Sequence, residues 1–287
     1  MRAPRSLGDD RPVIIDTHTH VACADRDRFP IDATGVASDW WREGGTIDDL
    51  LAVQNATGVD HVVVVQAVGA YGYDNSCAIA SVAAHRVRAS FVCAVDMNGT
   101  DPARALVELL DDPRTVVPVR GVRLFGVGNI SAQWLDDGRV DAVFAVAATR
   151  GLTIVPTILA DRFDTLAPLA IAHPDVPIAI DHCGFLDMVD GDGEAMVMEL
   201  VSIPSVNLKV TSYVLEAAIT ADGDAAPLVE RLAIAFGADR LCWGSDHPQD
   251  LRHDYADKVA LARSAIRSFD ARATDDFFAH TGSRLFA

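Results

Sequence analysis

The sequence predicts a (β/α)₈ barrel that forms a single domain. Short runs rich in β-branched residues alternate with longer Ala- and Leu-rich stretches, and eight such units fit in the 287 residues. Val62–Val65 and Ile178–Ile180 are apolar throughout, which is typical of strands covered by helices on both faces. Eight units in roughly 250–300 residues match a closed barrel. A doubly wound open sheet is the second choice, because no GxGxxG follows the first strand.

Each predicted strand is bounded by turn signals or helical patterns. The eight strands are Val13–Thr17, His61–Gln66, Ser90–Val95, Val119–Leu124, Leu152–Thr157, Val176–Asp181, Val206–Val210 and Arg240–Ser245. We expect Asp254–Phe286 to be helical and to close the barrel. The barrel domain would then span residues 12–287, after a disordered leader at residues 1–11 that lacks the apolar segment of a signal peptide.

The predicted helices carry recognisable start and stop signals. Thr46 and Asp49 have the spacing of a capping box. Asp101-Pro102 places a capping side chain before a proline at the first helical position. Helix ends are expected at three glycines, which are Gly58, Gly151 and Gly237.

The segment Ala22–Gly45 is longer than an ordinary connection between a strand and its helix. It contains many charged residues and the pair Trp40-Trp41. Long loops of this kind often form lids or binding loops. On a barrel, this loop would overhang the active-site mouth.

The amino-acid composition of the chain argues against some classes of binding partner. The formal net charge of −17 argues against nucleic acid or an anionic membrane surface as a main partner. The sequence contains no run of about 18 apolar residues, so it predicts no transmembrane helix. The five cysteines are scattered and lack CxxC spacing, so the sequence predicts a cytoplasmic protein with idle or buried thiols and no disulfide framework. A homo-oligomer is compatible with these features.

Polar residues at three predicted strand ends carry the chemistry. His18 and His20 lie two residues apart on the first strand, so their imidazoles should point the same way, into the mouth of the barrel. His182 follows the sixth strand and Asp246 follows the eighth. Taken singly, His182 could cap a helix and Asp246 could be a helix N-cap before Pro248. Their convergence at one mouth favours a catalytic or metal-binding role.

These motifs resemble the amidohydrolase superfamily, and within it the amidohydrolase-2 branch that includes 2-pyrone-4,6-dicarboxylate hydrolase and sugar-acid lactonases. The resemblance extends over nearly the whole chain. It rests on His18-x-His20, Asp181-His182-x-Gly184, Gly244-Ser245-Asp246-x-Pro248, Arg28-Phe29-Pro30, Tyr73-Asp74-Asn75, Arg120-Gly121-Val122-Arg123, Asn207-Leu208-Lys209 and the closing Arg284-Leu285-Phe286. Thr281 replaces the asparagine usual in the last motif.

The resemblance implies one divalent ion at most. Dinuclear members use a carboxylated lysine on strand four and a histidine on strand five, where this chain has Arg123 and Thr157. His18, His20 and Asp246 would bind one zinc-like ion, with His182 as a fourth ligand or as the group that polarises the substrate carbonyl. Metal-free catalysis is the alternative, because some lactonases of this branch need no metal. Asp246 would then act as the base toward water.

The remaining candidates concern the substrate, a small anionic molecule or a sugar acid. Arg123 is the best anion contact, since a guanidinium can bind a carboxylate through two hydrogen bonds; a salt bridge is the alternative. Lys209 could bind substrate or pair with Asp246 or Asp181, whose role the sequence leaves open. Further candidate substrate contacts are Tyr71, Tyr73, Asn75 and Tyr213.

The resemblance implies hydrolysis of a lactone. Direct attack of water is preferred over a covalent intermediate, because the chain has no GxSxG elbow for a covalent nucleophile. The alternative is metal-dependent, non-oxidative decarboxylation of an aromatic or muconate-type acid. Relatives with that activity usually have a histidine at the end of strand five, and Thr157 counts against it. A non-catalytic barrel is disfavoured, since the polar strand ends are intact.

Overall fold

The computed structural model describes residues 13–36, 39–42, 44–249 and 253–287, and the predicted leader lies outside these residues. The eight strands form one parallel sheet in the order β1 to β8. Their bounds are β1 Ile15–Thr19, β2 His61–Val65, β3 Ala89–Ala94, β4 Val119–Phe125, β5 Thr153–Thr157, β6 Ile178–Ile180, β7 Val206–Thr211 and β8 Leu241–Gly244. The predicted barrel is therefore confirmed.

Helices follow the strands and cover the outer face of the barrel. The α-helices of the described chain are α1 Ile47–Thr57, α2 Val68–Tyr71, α3 Ser76–Ala84, α4 Pro102–Asp111, α5 Arg139–Arg150, α6 Phe163–Ala172, α7 Gly193–Met198, α8 Ser212–Asp222, α9 Ala226–Phe236, α10 Tyr255–Ala265, α11 Ala271–Asp275 and α12 Thr281–Phe286. Within the described ranges, none of these helices has the length and hydropathy needed to cross a membrane.

The predicted helix boundaries have the expected geometry. The Thr46 hydroxyl accepts a hydrogen bond from the Asp49 amide, and the Asp49 carboxylate accepts one from the Thr46 amide. The Asp101 carboxylate caps α4 by accepting from the amide three residues on. Three helices end at the predicted glycines, Gly58, Gly151 and Gly237.

Hydrogen bonds across β1 and the end of β8 close the barrel. The Asp246 amide donates to the His18 carbonyl, and the His20 amide donates to the His247 carbonyl, each at 2.8 Å. Gly244 is required at this seam, because a Cβ at that position would lie 2.6 Å from the Cβ of His18. A side chain there would push the two strands apart.

A buried carboxylate on β1 reinforces the same seam. Asp16 is fully buried and accepts hydrogen bonds from the Ser245 amide and the Tyr255 hydroxyl, each at 2.8 Å. Burial raises the pKa of Asp16, although these hydrogen bonds act in the opposite direction. Asp16 thus ties β1 to both the end of β8 and the helix α10.

The C-terminal helix α12 covers the end of the barrel opposite the predicted active site. Leu285 and Phe286 are buried with the apolar residues of the barrel interior, and the Leu285 carbonyl accepts a 2.7 Å hydrogen bond from the Thr153 hydroxyl. Thr281, which replaces the family's usual asparagine, donates to the Asp239 carbonyl. The expectation that the last segment is helical and closes the barrel is confirmed.

The expectation of buried or idle thiols holds for three of the five cysteines and fails for the other two. Cys23 and Cys77 form a disulfide, with their Cα atoms 5.8 Å apart, whereas Cys93, Cys183 and Cys242 are free and buried. The pair is 54 residues apart in sequence, so its spacing carries no signal. It joins the loop after β1 to α3.

Truncating Phe286 tests the role of α12. Phe286→Ala should lower the free energy of unfolding by about 3–5 kcal/mol, because the ring is 1% exposed and its loss leaves a cavity. Urea denaturation measures the effect. Ile234→Ala is the control, since Ile234 is 80% exposed and should change stability by less than about 1 kcal/mol. Equal effects of the two substitutions would show that α12 is not part of the core.

The pH dependence of stability tests a second group, the partly buried His61 at the start of β2. Burial lowers the pKa of His61 to about 4, and its Nε2 lies 2.7 Å from the Ser90 hydroxyl. Between pH 6.5 and 4 the unfolded chain binds a proton at this residue that the folded chain does not bind. Stability contributed by neutral His61 is therefore complete above pH 6.5 and is lost as the pH falls toward 4.

The variant His61→Gln should make the free energy of unfolding less dependent on pH in this window, by up to about 1.4 kcal/mol per pH unit. Urea denaturation at several pH values measures the slope. His280→Gln serves as the control, because His280 is exposed on the surface. An unchanged slope in His61→Gln would contradict the assignment.

Candidate active site

His18, in β1, and His20, directly after it, meet at the C-terminal mouth of the barrel, as their spacing predicts. Their Nε2 atoms are 3.2 Å apart, and both side chains are buried. The Nδ1 of His20 lies 2.9 Å from the Val65 carbonyl. A carbonyl only accepts, so His20 carries its proton on Nδ1 and presents the Nε2 lone pair to the site.

His182 reaches the same site from a strained turn after β6. Its φ of 53° lies in the left-handed region, as do those of Cys183 and Phe185. The His182 ring centroid is 4.8 Å from that of His18 and 4.6 Å from that of Phe185. Its Nδ1 is 2.8 Å from the Thr211 hydroxyl. Strain of this kind is held in place by surrounding contacts and is common at functional sites.

Asp246 completes the cluster from the turn after β8. It too has a positive φ, of 52°, which turns its carboxylate toward the histidines. Its Oδ1 lies 3.5 Å from the Nε2 of His18 and 3.4 Å from that of His20. Burial raises the pKa of Asp246, but His182, His20 and His18 outweigh that effect and hold the pKa below its ordinary value. Asp246 is therefore a carboxylate at neutral pH.

A second buried carboxylate, Asp181, supports the cluster from below. Its Oδ1 is 3.0 Å from both the Nδ1 of His18 and the Nζ of Lys209. Its Oδ2 accepts hydrogen bonds from Arg123 at 3.0 Å and from the Thr157 hydroxyl at 2.7 Å. Burial raises the pKa of Asp181, but Lys209, His18 and Arg123 together hold it well below its usual range.

The sequence left the role of Asp181 open, and the structure makes it the centre of the network. Lys209 is fully buried and pairs with Asp181, which is one of the alternatives that the sequence allowed. Lys209 has no exposed surface, and its predicted contact with a substrate stays a prediction. The polar residues at the strand ends could have suggested an ion pair between Lys209 and Asp181. No sequence pattern, however, specifies the other partners of Asp181.

Arg123 combines the two roles that the sequence could not separate. Its Nε donates to Asp181 and Thr157, and its Nη1 donates to the Gln66 carbonyl. No hydrogen bond from Nη2 is formed within the described part of the chain. The guanidinium is therefore held in place by a salt bridge while one edge stays available to a ligand.

The four other predicted substrate contacts differ in their surroundings. Asn75 is buried and exchanges hydrogen bonds with the backbone of Ala94, so it supports the fold instead of lining the mouth. Tyr71 is also buried, and its hydroxyl accepts from the Cys23 amide. The Tyr73 hydroxyl is buried without a hydrogen-bond partner among the described residues. Tyr213 packs its ring against His182 and donates to Asp187.

The loop after β1 contacts the site, as predicted for a lid. Trp40 and Trp41 lie in a short 3₁₀ turn and are both buried. The Trp40 ring is nearly parallel to that of His20, with centroids 6.2 Å apart. Arg26 fastens this turn by donating to the Trp41 carbonyl and to the Tyr71 hydroxyl. Residues 37, 38 and 43 of the loop lie outside the described residues.

The donor set fits one ion of the size of zinc. His18 Nε2, His20 Nε2 and Asp246 Oδ1 are 3.2, 3.5 and 3.4 Å apart. Two ligands bound to zinc at 2.0–2.1 Å with a tetrahedral angle lie roughly 3.3 Å apart. One ligand atom each from His18, His182 and Asp246 also falls within 4.8 Å of the others. Imidazole and carboxylate donors suit this metal.

Comparison with known proteins agrees with this geometry. The family model described as Amidohydrolase (Amidohydro_2) matches residues 15–287. The chain belongs to the amidohydrolase family. Membership assigns it to a family of hydrolases, and the resemblance of the strand-end motifs is thereby confirmed.

The individual relatives share less than a third of their residues with this chain. The chain is 28% identical over 245 residues to an L-fucono-1,5-lactonase of Burkholderia ambifaria, covering 82% of this chain and 80% of the lactonase. It is similar in fold to a probable 2-pyrone-4,6-dicarboxylic acid hydrolase from Acinetobacter baumannii, with a TM-score of 0.75 and 18% identity over 95% of this chain and 98% of that one.

A zinc-bound amidohydrolase from Burkholderia multivorans has a TM-score of 0.74 at 18% identity, again covering 95% of this chain and 98% of the other. At this identity the two solved structures show that the fold is shared.

Proposed function

We propose that the protein opens a lactone by direct attack of water and that Asp246 is the general base. The observation that carries the proposal is the position of the Asp246 carboxylate, 3.4–3.5 Å from two imidazoles and open to the mouth of the barrel. A depressed pKa keeps this carboxylate ionised at neutral pH, which is the form that a general base requires. The lactonase relative supports the choice of a cyclic ester.

In the proposed reaction, the oxygen of water bonds to the lactone carbonyl carbon as Asp246 takes a proton from it. The carbonyl oxygen gains negative charge and accepts a hydrogen bond from His182. This requires the proton of His182 on Nε2, which its contact with the Thr211 hydroxyl allows if Nδ1 accepts there. The ring C–O bond then breaks, and the leaving alkoxide takes the proton from Asp246, giving a hydroxy acid.

A divalent ion, if bound, would be held by His18, His20 and Asp246. It would supply positive charge that polarises the ester and lowers the pKa of water. The residues of this chain retain their separate roles of proton acceptance at Asp246 and hydrogen-bond donation at His182. The cytoplasmic location and the homo-oligomer remain predictions.

The preferred substrate is a lactone that carries a carboxylate or the hydroxyls of a sugar acid. The free edge of Arg123 supports an anion contact at the mouth. Tyr213, which is only partly buried, flanks His182 and offers apolar surface to a small ring, while the buried Trp40 packs behind His20. Decarboxylation is the weaker alternative, because Thr157 is engaged with Asp181 at the position where decarboxylases of this branch usually have a histidine.

Replacement of the base tests the mechanism. Asp246→Asn should reduce kcat for lactone opening by about 10²–10⁴-fold, because the amide cannot accept the proton from water. A pH-indicator assay of acid release measures kcat, and circular dichroism checks that the variant is folded. Asp111→Asn, which affects a surface salt bridge with Arg150, is the control. Near-normal turnover in Asp246→Asn would rule out the proposed base.

A pair of substrates tests the anion contact. Arg123→Met should raise KM by about 10–100-fold for a carboxylated lactone and leave KM for a neutral lactone of the same ring size within about threefold. Steady-state kinetics on both substrates provide the comparison. A fall in kcat of equal size for both, with KM unchanged, would mean that Arg123 acts only through Asp181.

A further inference from the structure

Three fully buried side chains meet at the Nδ1 atom of His18. The Nζ of Lys209 is 2.9 Å from it and the Oδ1 of Asp181 is 3.0 Å from it, while Nζ and Oδ1 are themselves 3.0 Å apart. An ammonium only donates hydrogen bonds and a carboxylate only accepts them. A neutral imidazole carries one proton, so Nδ1 of His18 can serve one of these neighbours at a time.

In one arrangement, Lys209 donates to Nδ1 of His18. The imidazole proton is then on Nε2, which lies 3.2 Å from Nε2 of His20. His20 can accept it, because its own proton is on Nδ1 and is donated to the Val65 carbonyl. Every donor in this chain of contacts has an acceptor, and His18 cannot bind a metal through its protonated Nε2.

In the other arrangement, Nδ1 of His18 donates to Asp181. The two Nε2 lone pairs of His18 and His20 then face each other, with the Asp246 carboxylate within 3.5 Å of both. Three electron-rich atoms at these distances repel one another unless a cation lies between them. A carboxylate behind a ligating histidine is the arrangement that orients imidazoles toward metals.

We infer that Lys209 and Asp181 compete for the proton position of His18 and thereby set the metal affinity of the site in opposite directions. Lys209 favours the form that excludes metal, and Asp181 favours the form that binds it. Both are positioning residues, because they act through His18. The inference deepens the proposed function and rests on its metal ligands, but its readout is metal affinity, so failure of lactone hydrolysis would leave it standing.

Zinc affinity of chelator-treated protein, measured by competition with a chromophoric chelator, tests the inference. Lys209→Met should bind zinc about 10–100-fold more tightly than the wild type, and Asp181→Asn about 10–100-fold more weakly. Opposite changes separate this mechanism from misfolding, since general damage would weaken binding in both variants. Circular dichroism confirms folding before each titration.

Arg123→Met is the matched control. Arg123 also pairs with Asp181, but through Oδ2, and it does not contact His18. If proton position decides affinity, Arg123→Met should stay within about threefold of the wild type. If Arg123→Met and Lys209→Met strengthen binding equally, loss of positive charge is sufficient and the inference is overturned. Weaker or unchanged binding in folded Lys209→Met also overturns it.

A measurement on the unaltered protein covers the case in which Lys209→Met does not fold. Two-bond ¹⁵N–¹H correlation spectra of histidine-labelled protein report which ring nitrogen carries the proton, and His18→Gln assigns the signal. We expect protonated Nε2 of His18 in chelator-treated protein and protonated Nδ1 after zinc is added. Protonated Nδ1 in both samples would overturn the inference.

Discussion

The buried carboxylate of Asp181 constrains the whole site. An uncompensated charge at zero exposure would cost several kcal/mol, so the fold must surround Asp181 with donors. Lys209 and Arg123 supply positive charge, Thr157 donates a hydrogen bond, and Nδ1 of His18 lies 3.0 Å from Oδ1. These partners come from four other strands. The orientation of His18 is therefore a consequence of how the barrel neutralises one buried charge.

Closure of the barrel imposes the second constraint. The site takes His18 from β1, His20 from the position directly after β1 and Asp246 from the turn after β8, and β1 and β8 are the two strands that meet at the seam. The backbone bond between Asp246 and His18 sets the carboxylate beside the imidazoles. Gly244 permits this approach, since any side chain there would meet His18. Site geometry and barrel closure thus depend on the same contacts.

The sequence predicted that His18, His20 and Asp246 converge at one mouth, because strand periodicity and barrel topology together determine where their side chains meet. It could not predict the partners of Asp181. Several cations lie at strand ends, and the choice among them depends on strand register, which no local pattern encodes. The Cys23–Cys77 disulfide escaped prediction for a similar reason, since it depends on the path of a long loop.

Charge balance couples the metal to the substrate. Among the described residues around the histidines, the cations Lys209 and Arg123 are matched in number by the carboxylates Asp181 and Asp246. Without an ion, these four groups carry little net charge, and the free edge of Arg123 is the part of them that can attract an anion. A divalent ion would add two positive charges that a substrate carboxylate partly neutralises. Under the proposed function, preference for an anionic lactone should grow with metal occupancy, and the proton position of His18 would then influence substrate selection as well as metal affinity.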